Sequence, residues 1–152
     1  MSTMAGPVKE TIAIAAPVPI VIGIVADLEN PDRWANEAKG ADVRAHDAEG
    51  RVSSIKVTLG AVGFTTSATY DVAYTDSSVT LTCSGDGGRL ISSSVIAYEA
   101  AESGEGTELT MTSTMEVTVP VPDWGLERAM KRSAHKNLAS VKADAERCAS
   151  RS

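Results

Sequence analysis

The chain has 152 residues, a formal charge of −6 and two cysteines. One domain of this length buries roughly 70% of the surface its unfolded chain exposes, so neither a disulfide framework nor a structural metal is required. Residues 123–152 carry seven Lys or Arg against four Asp or Glu, a net +3, while residues 1–122 carry −9; an acidic body of this kind argues against general nucleic-acid binding.

The apolar run Ile12–Ala26 comes first. It is too short to span a bilayer, and as a signal peptide it has a poor charged leader, with Lys9 beside Glu10, and a middle broken by Pro17 and Pro19. It divides better into a strand, Val8–Ala15, and a short helix opening at Pro17, because proline suits a first helical turn. A second short helix is expected from Asn30, where an Asn cap precedes Pro31 and the early carboxylate Asp32. With no span or leader assigned, a cytoplasmic protein is expected.

Strands follow, separated by turn chemistry at Glu49-Gly50, Asp76, Asp86-Gly87 and Gly104–Gly106, for seven strands in all. Alternation places Ile55, Val57 and Leu59 on one side. Val62, Phe64, Thr66, Ala68, Tyr70, Val72 and Tyr74 share a face, as do Val79, Leu81 and Cys83. The last strand turns Leu109, Met111, Met115, Val117 and Val119 one way and Glu108, Thr110, Thr112, Glu116 and Thr118 the other. An antiparallel sheet with one wet and one apolar face follows. The strand Arg89–Tyr98 is ambiguous, since Leu90, Ser92, Ser94 and Ile96 compete with Ile91, Ser93, Val95 and Ala97 for the inside.

Pro120 and Pro122 end that last strand, and Asp123 offers an oxygen to start a helix over Asp123–Ser152. Leu126, Met130, Ala134, Leu138, Val141, Ala145 and Cys148 form its apolar stripe, with Ser133 and Asn137 beside it. The opposite face is basic, but Glu127, Asp144 and Glu146 interrupt it, which fits a solvated surface better than a membrane or RNA footprint. Cys83 and Cys148 read as free thiols with small-hydrophobe roles, unsuited in spacing to zinc. Ser84–Gly88 joins two strands and opens no helix, so it reads as a hairpin rather than a phosphate cradle.

A sheet whose apolar face meets one long helix encloses either a filled core or a cavity. Aromatics are only 4% of the chain, and the inward set mixes Thr66, Ala68, Ser113, Ser133 and Asn137 with larger apolar residues. Small residues leave room, and polar ones need partners or water; a core in which they bond the backbone fits equally.

From about Val8 to Cys148 the chain resembles the START and birch-pollen-allergen superfamily (SRPBCC), in its polyketide cyclase/dehydrase and lipid-transport branch. The resemblance rests on Ile12–Pro17 leading into a helix, Ala26–Glu29 followed by Pro31 and Trp34, Glu49–Arg51 in the first hairpin, Gly104–Thr107 before the last strand and Val119–Pro122 before the closing helix. It implies one α+β domain of the helix-grip fold, a curved seven-stranded antiparallel sheet wrapped around the long C-terminal helix, with two short helices between strands one and two. It also implies a hydrophobic cavity lined from Trp34, Ile55, Val57, Leu59, Phe64, Tyr70, Leu81, Leu109, Met111, Met115, Met130, Asn137 and Val141, where the thioether chains suit an adaptable lining. Ordinary core packing fits the same residues. Trp124 would gate an entrance or staple the helix to the sheet.

The expected function is binding or transport of an apolar small molecule, such as a lipid, isoprenoid, quinone or polyketide-like compound. No cofactor, metal, nucleic acid or stable membrane insertion is expected, and the protein is a monomer or homodimer. A polyketide cyclase or dehydratase is the alternative, with Tyr70 or Asn137 orienting a poly-ketone, but no acid, base and oxyanion set assembles, and His46 and His135 read as exposed. A ligand-responsive interaction module is the third reading.

Overall fold

A computed structural model describes residues 3–27, 38–61, 64–87, 91–118 and 122–150. Its elements are β1 (Thr3–Ile14), α1 (Val18–Val25), β2 (Ala38–His46), β3 (Val52–Ala61), β4 (Phe64–Tyr74), β5 (Ser78–Gly87), β6 (Ile91–Ser103), β7 (Gly106–Val117) and α2 (Asp123–Ser150). The seven strands form one curved antiparallel sheet in the order β1-β7-β6-β5-β4-β3-β2. β2 to β7 are a simple meander, while β1 crosses to the far edge and pairs with β7. No helix among the described residues is long and apolar enough to cross a membrane.

β1 begins five residues earlier than expected. Pro7 lacks a ladder donor, but an edge strand tolerates proline where its pairing is interrupted. Here the register shifts between Ala5 and Val8, and Gly6 takes φ 103°, a left-handed conformation suited to glycine. α1 starts directly after Pro17 as expected and buries Val21, Ile24 and Val25. The second short helix expected from Asn30 lies outside the described residues.

Strand faces follow the alternation wherever side chains are described. Ile55, Ala68, Tyr70, Val79, Leu81, Cys83 and Leu109 are buried on the inner face. The ambiguity in β6 is resolved in favour of the even-numbered set: Ser94, Tyr98 and Ala100 are buried and Val95 is exposed.

α2 packs chiefly against β1 and α1, with a lighter approach to β7. Leu126, Met130, Ala134, Leu138, Val141 and Ala145 are buried as its stripe predicts, and the stripe is wider than expected, taking in Asn137 and Asp144. These two lie seven residues apart, two helical turns, and so share one side. Asp144 is therefore not part of the exposed polar face; its carboxylate is paired with Arg147 one turn on. Pro122 accepts the first helical bonds from Gly125 and Leu126, and Asp123, already within the helix, takes the Trp124 amide at 2.9 Å. Trp124 is 65% exposed with the Arg128 guanidinium 5.8 Å from its ring, so it does not staple helix to sheet.

Three polar contacts lock the β1–α1 corner to its neighbours. Lys142 Nζ donates to the Ala13 carbonyl at 3.0 Å, and Glu146 Oε2 accepts the Ala15 amide at 2.8 Å. From β7, the buried Thr107 hydroxyl donates to the Ala16 carbonyl at 2.6 Å.

Candidate functional site

The space enclosed by the sheet and α2 is where residues from distant parts of the chain converge. Of the residues expected to line it, Ile55, Tyr70, Leu81, Leu109, Met111, Met130, Asn137 and Val141 are buried and Met115 is half-buried. Val57, Leu59 and Phe64 stand in β3 and β4, in register with Ala68, Thr66 and Ala61, but their side chains, and Trp34 altogether, lie outside the described residues.

Burial along this interior is uneven. Leu109, Tyr98, Ala134 and Val141 are sealed, yet Met111 keeps 6% of its surface, Met130 7%, and Ser113 and Asn137 8% each. Met115 and Ile96, also inward-facing, are only half-buried. β7 lies inside the sheet between β1 and β6, so the surface left on its inward residues faces the space under α2. Met111, Ser113 and Met115 lie in the middle of β7, and Met130 and Asn137 flank the middle of α2.

A polar seam crosses the same region. Tyr70 on β4 donates its hydroxyl to Ser94 Oγ on β6 at 3.1 Å, and Tyr98, four residues further along β6, donates to Asn137 Oδ1 on α2 at 2.8 Å. In the β6–β7 ladder Ser94 pairs with Met115, Ile96 with Ser113 and Tyr98 with Met111, which places the Ser113 hydroxyl between the two tyrosine contacts. Burial pushes the Tyr70 phenol up to about 12, partly offset by Ser94, and raises that of Tyr98, partly offset by Asn137. Both are neutral donors at any physiological pH.

Tyr98, Ser94 and Ser113 were not among the expected site residues. The signal for Tyr98 was an aromatic at the end of a strand whose two faces read alike; a phenol buried in a core normally finds a partner, and Asn137 on the closing helix was the available one. His46 and His135 are exposed, His135 lying 3.5 Å from Glu10 across the helix-to-β1 gap. No group of three His, Cys, Asp or Glu among the described residues is placed to hold a metal.

A curved antiparallel sheet closed by one long C-terminal helix, with a mixed apolar and hydroxyl-bearing interior, defines the helix-grip class. The chain belongs to the polyketide cyclase/dehydrase and lipid transport family, whose model matches residues 6–146. Among solved structures it is similar to a START superfamily protein from Mycobacterium smegmatis, with 20% identity over 95% of this chain and 98% of that one and a TM-score of 0.82. It is also similar to the ZhuI aromatase/cyclase from Streptomyces sp. R1128, with 14% identity, 97% and 95% coverage and a TM-score of 0.78. Ginseng major latex-like protein 151 from Panax ginseng shares 17% identity over 97% of each chain at a TM-score of 0.65. At these identities the structural likeness is one of fold. No curated relative matches the chain in sequence.

Proposed function

We propose that this protein binds and carries an apolar small molecule, of lipid, isoprenoid, quinone or polyketide-like character, in the space between the sheet and α2. It acts in the cytoplasm, without nucleic acid or stable membrane insertion, as a monomer or homodimer. The observation that carries this reading is the residual surface on Met111, Ser113, Met130 and Asn137 amid sealed neighbours. Native cores close around such residues, and thioether chains bordering an unfilled space conform to ligands of irregular shape. The matched family, named for both cyclases and lipid transport, is consistent with it.

The test is saturable binding of the neutral fluorophore N-phenyl-1-naphthylamine, together with native mass spectrometry of gently purified protein. One-to-one saturation, weakened when Ser113→Leu fills the space, supports the reading. An absence of saturable binding with no retained adduct overturns it.

A cyclase or dehydratase acting on a ligand in the same space is the second reading, favoured by the two tyrosine donors that stay protonated. Proton transfer from carbon also needs a base. Among the described residues the one buried carboxylate is Asp144, already paired with Arg147, so binding takes precedence.

A further inference from the structure

The side of α2 turned away from the sheet is basic. Trp124, Arg128, Lys131, Arg132, His135 and Lys136 are all exposed and recur at steps of three and four, so they share one face. Read from sequence alone, that face is interrupted by three acids; the fold removes two of them. Asp144 lies among the buried residues and pairs with Arg147. Glu146 is drawn onto the β1–α1 corner by the Ala15 amide and Lys142. Of the three, Glu127 remains, 3.7 Å from Lys131, while Glu10 of β1 sits 3.5 Å from His135. Arg128, Lys131, Arg132 and Lys136 thus line about 12 Å of helix.

The stripe ends in an apolar tip. Of the large apolar side chains that the described residues expose, Met4 at 58% and Trp124 at 65% are the most open. They lie at the same end of the molecule. Glu10 meets His135 and the Ala15 amide meets Glu146, so five residues of β1 and eleven of α2 advance together over about 16–17 Å. An equal step back from the first of these pairs brings Trp124 level with Ala5, beside Met4. The Arg128 guanidinium stands 5.8 Å from the Trp124 ring.

A membrane headgroup layer uses both parts of this face, since an indole settles among headgroups while Lys and Arg meet lipid phosphates. The apolar stripe of α2 is already spent on the core, so the helix has no hydrophobic face of its own to sink and the contact is shallow. The acidic remainder, −9 over residues 1–122, is screened beyond about 8 Å at physiological salt and favours the orientation in which α2 faces an anionic surface.

We propose that α2 docks this protein reversibly on anionic lipid membranes, with Arg128, Lys131, Arg132 and Lys136 on lipid phosphates and Trp124 and Met4 entering the headgroup layer. The face lies outside the space between sheet and helix, so docking stands or falls separately from ligand binding.

The test is co-sedimentation of the full chain with vesicles of phosphatidylcholine alone and of an equal mixture with phosphatidylglycerol. Wild type binds the mixed vesicles, leaves them as sodium chloride is raised, and ignores phosphatidylcholine. Each Lys or Arg near such a surface strengthens binding about fivefold, so Arg128→Gln with Arg132→Gln weakens it about 25-fold. Trp124→Ser weakens it about tenfold. Arg44→Gln with Lys56→Gln, the same charge change on exposed residues of β2 and β3, changes it by about twofold or less. All five substituted side chains are exposed, and circular dichroism verifies that each variant is folded. Absence of binding to the mixed vesicles, the result if the stripe serves an acidic protein instead, overturns the inference. Full binding by both α2 variants, or equal weakening by the Arg44 and Lys56 pair, overturns it as well.

Discussion

Tyr98 on β6 and Asn137 on α2, 39 residues apart, meet in a buried hydrogen bond of 2.8 Å, so the closing helix is keyed to the sheet by a polar contact inside an apolar stripe. Tyr98→Phe leaves Asn137 Oδ1 buried without its donor and is expected to destabilise the protein by about 1–3 kcal/mol. Tyr98→Phe combined with Asn137→Leu removes both partners and recovers part of that loss. Urea unfolding measures both; a phenylalanine variant as stable as wild type would mean the contact contributes nothing.

Tyrosine ionisation gives a prediction at high pH. Tyr70 is held to about 12 and Tyr98 is raised as well, both by burial, against about 10 in the unfolded chain. Between those values the unfolded chain has released protons that the folded one retains. The stabilisation is therefore complete below about pH 10 and falls as pH rises toward 12. Absorbance near 295 nm should show tyrosinate appearing late and together with unfolding, and two phenols titrating freely in the folded protein near pH 10 would contradict the buried geometry.

At low pH the corner contact of Glu146 is lost. Hydrogen bonds from Lys142 and from the Ala15 amide depress its pKa, so the stability it supplies is present above the unfolded carboxyl value and is lost as pH falls through the lower folded one. Glu146→Gln should lower the midpoint of thermal unfolding at pH 7 and flatten its fall on acidification. Equal acid sensitivity in the two proteins would show that the contact is not formed in solution.

Two glycines predict opposite signs. A Cβ at Gly106 would lie 2.3 Å from the Ile14 carbonyl oxygen, a backbone atom that cannot swing aside, whereas a Cβ at the exposed, helical Gly23 would meet nothing within 4 Å. Gly106→Ala should destabilise by about 1–3 kcal/mol through overpacking. Gly23→Ala should stabilise by up to about 1 kcal/mol through helix propensity. Calorimetric midpoints of the pair test the close approach of β7 to β1 directly.

Much of this architecture is written in local pattern. The stripe from Leu126 to Ala145 specifies α2, and alternation around Tyr70, Leu81 and Leu109 assigns the inner face, because each rests on a periodicity a short window reveals. β6 was illegible for the same reason: serines and aliphatics occupy both of its faces, and only the pairing of Tyr98 with a helix 39 residues on decides which side is inside. Asp144 misled because a carboxylate reads as a surface residue, while its place two turns from Asn137 and its pairing with Arg147 let it be buried. The start of β1 was hidden by Pro7, whose missing donor is harmless at a sheet edge.

The order of strands also bears on how the chain reaches this state. Each strand from β3 to β7 pairs with the one before it in sequence, but β1 waits for β7, with contacts such as Thr11 to Thr110 spanning 99 residues. α2, which packs chiefly on β1, comes later still. During synthesis β1 thus emerges well before the elements that cover it, leaving Val8, Ile12 and Ile14 uncovered until β7 and α2 follow. Such long-range closure slows folding and prolongs exposure to aggregation, so the fold's longest-exposed apolar segment is its first strand rather than the meander that follows.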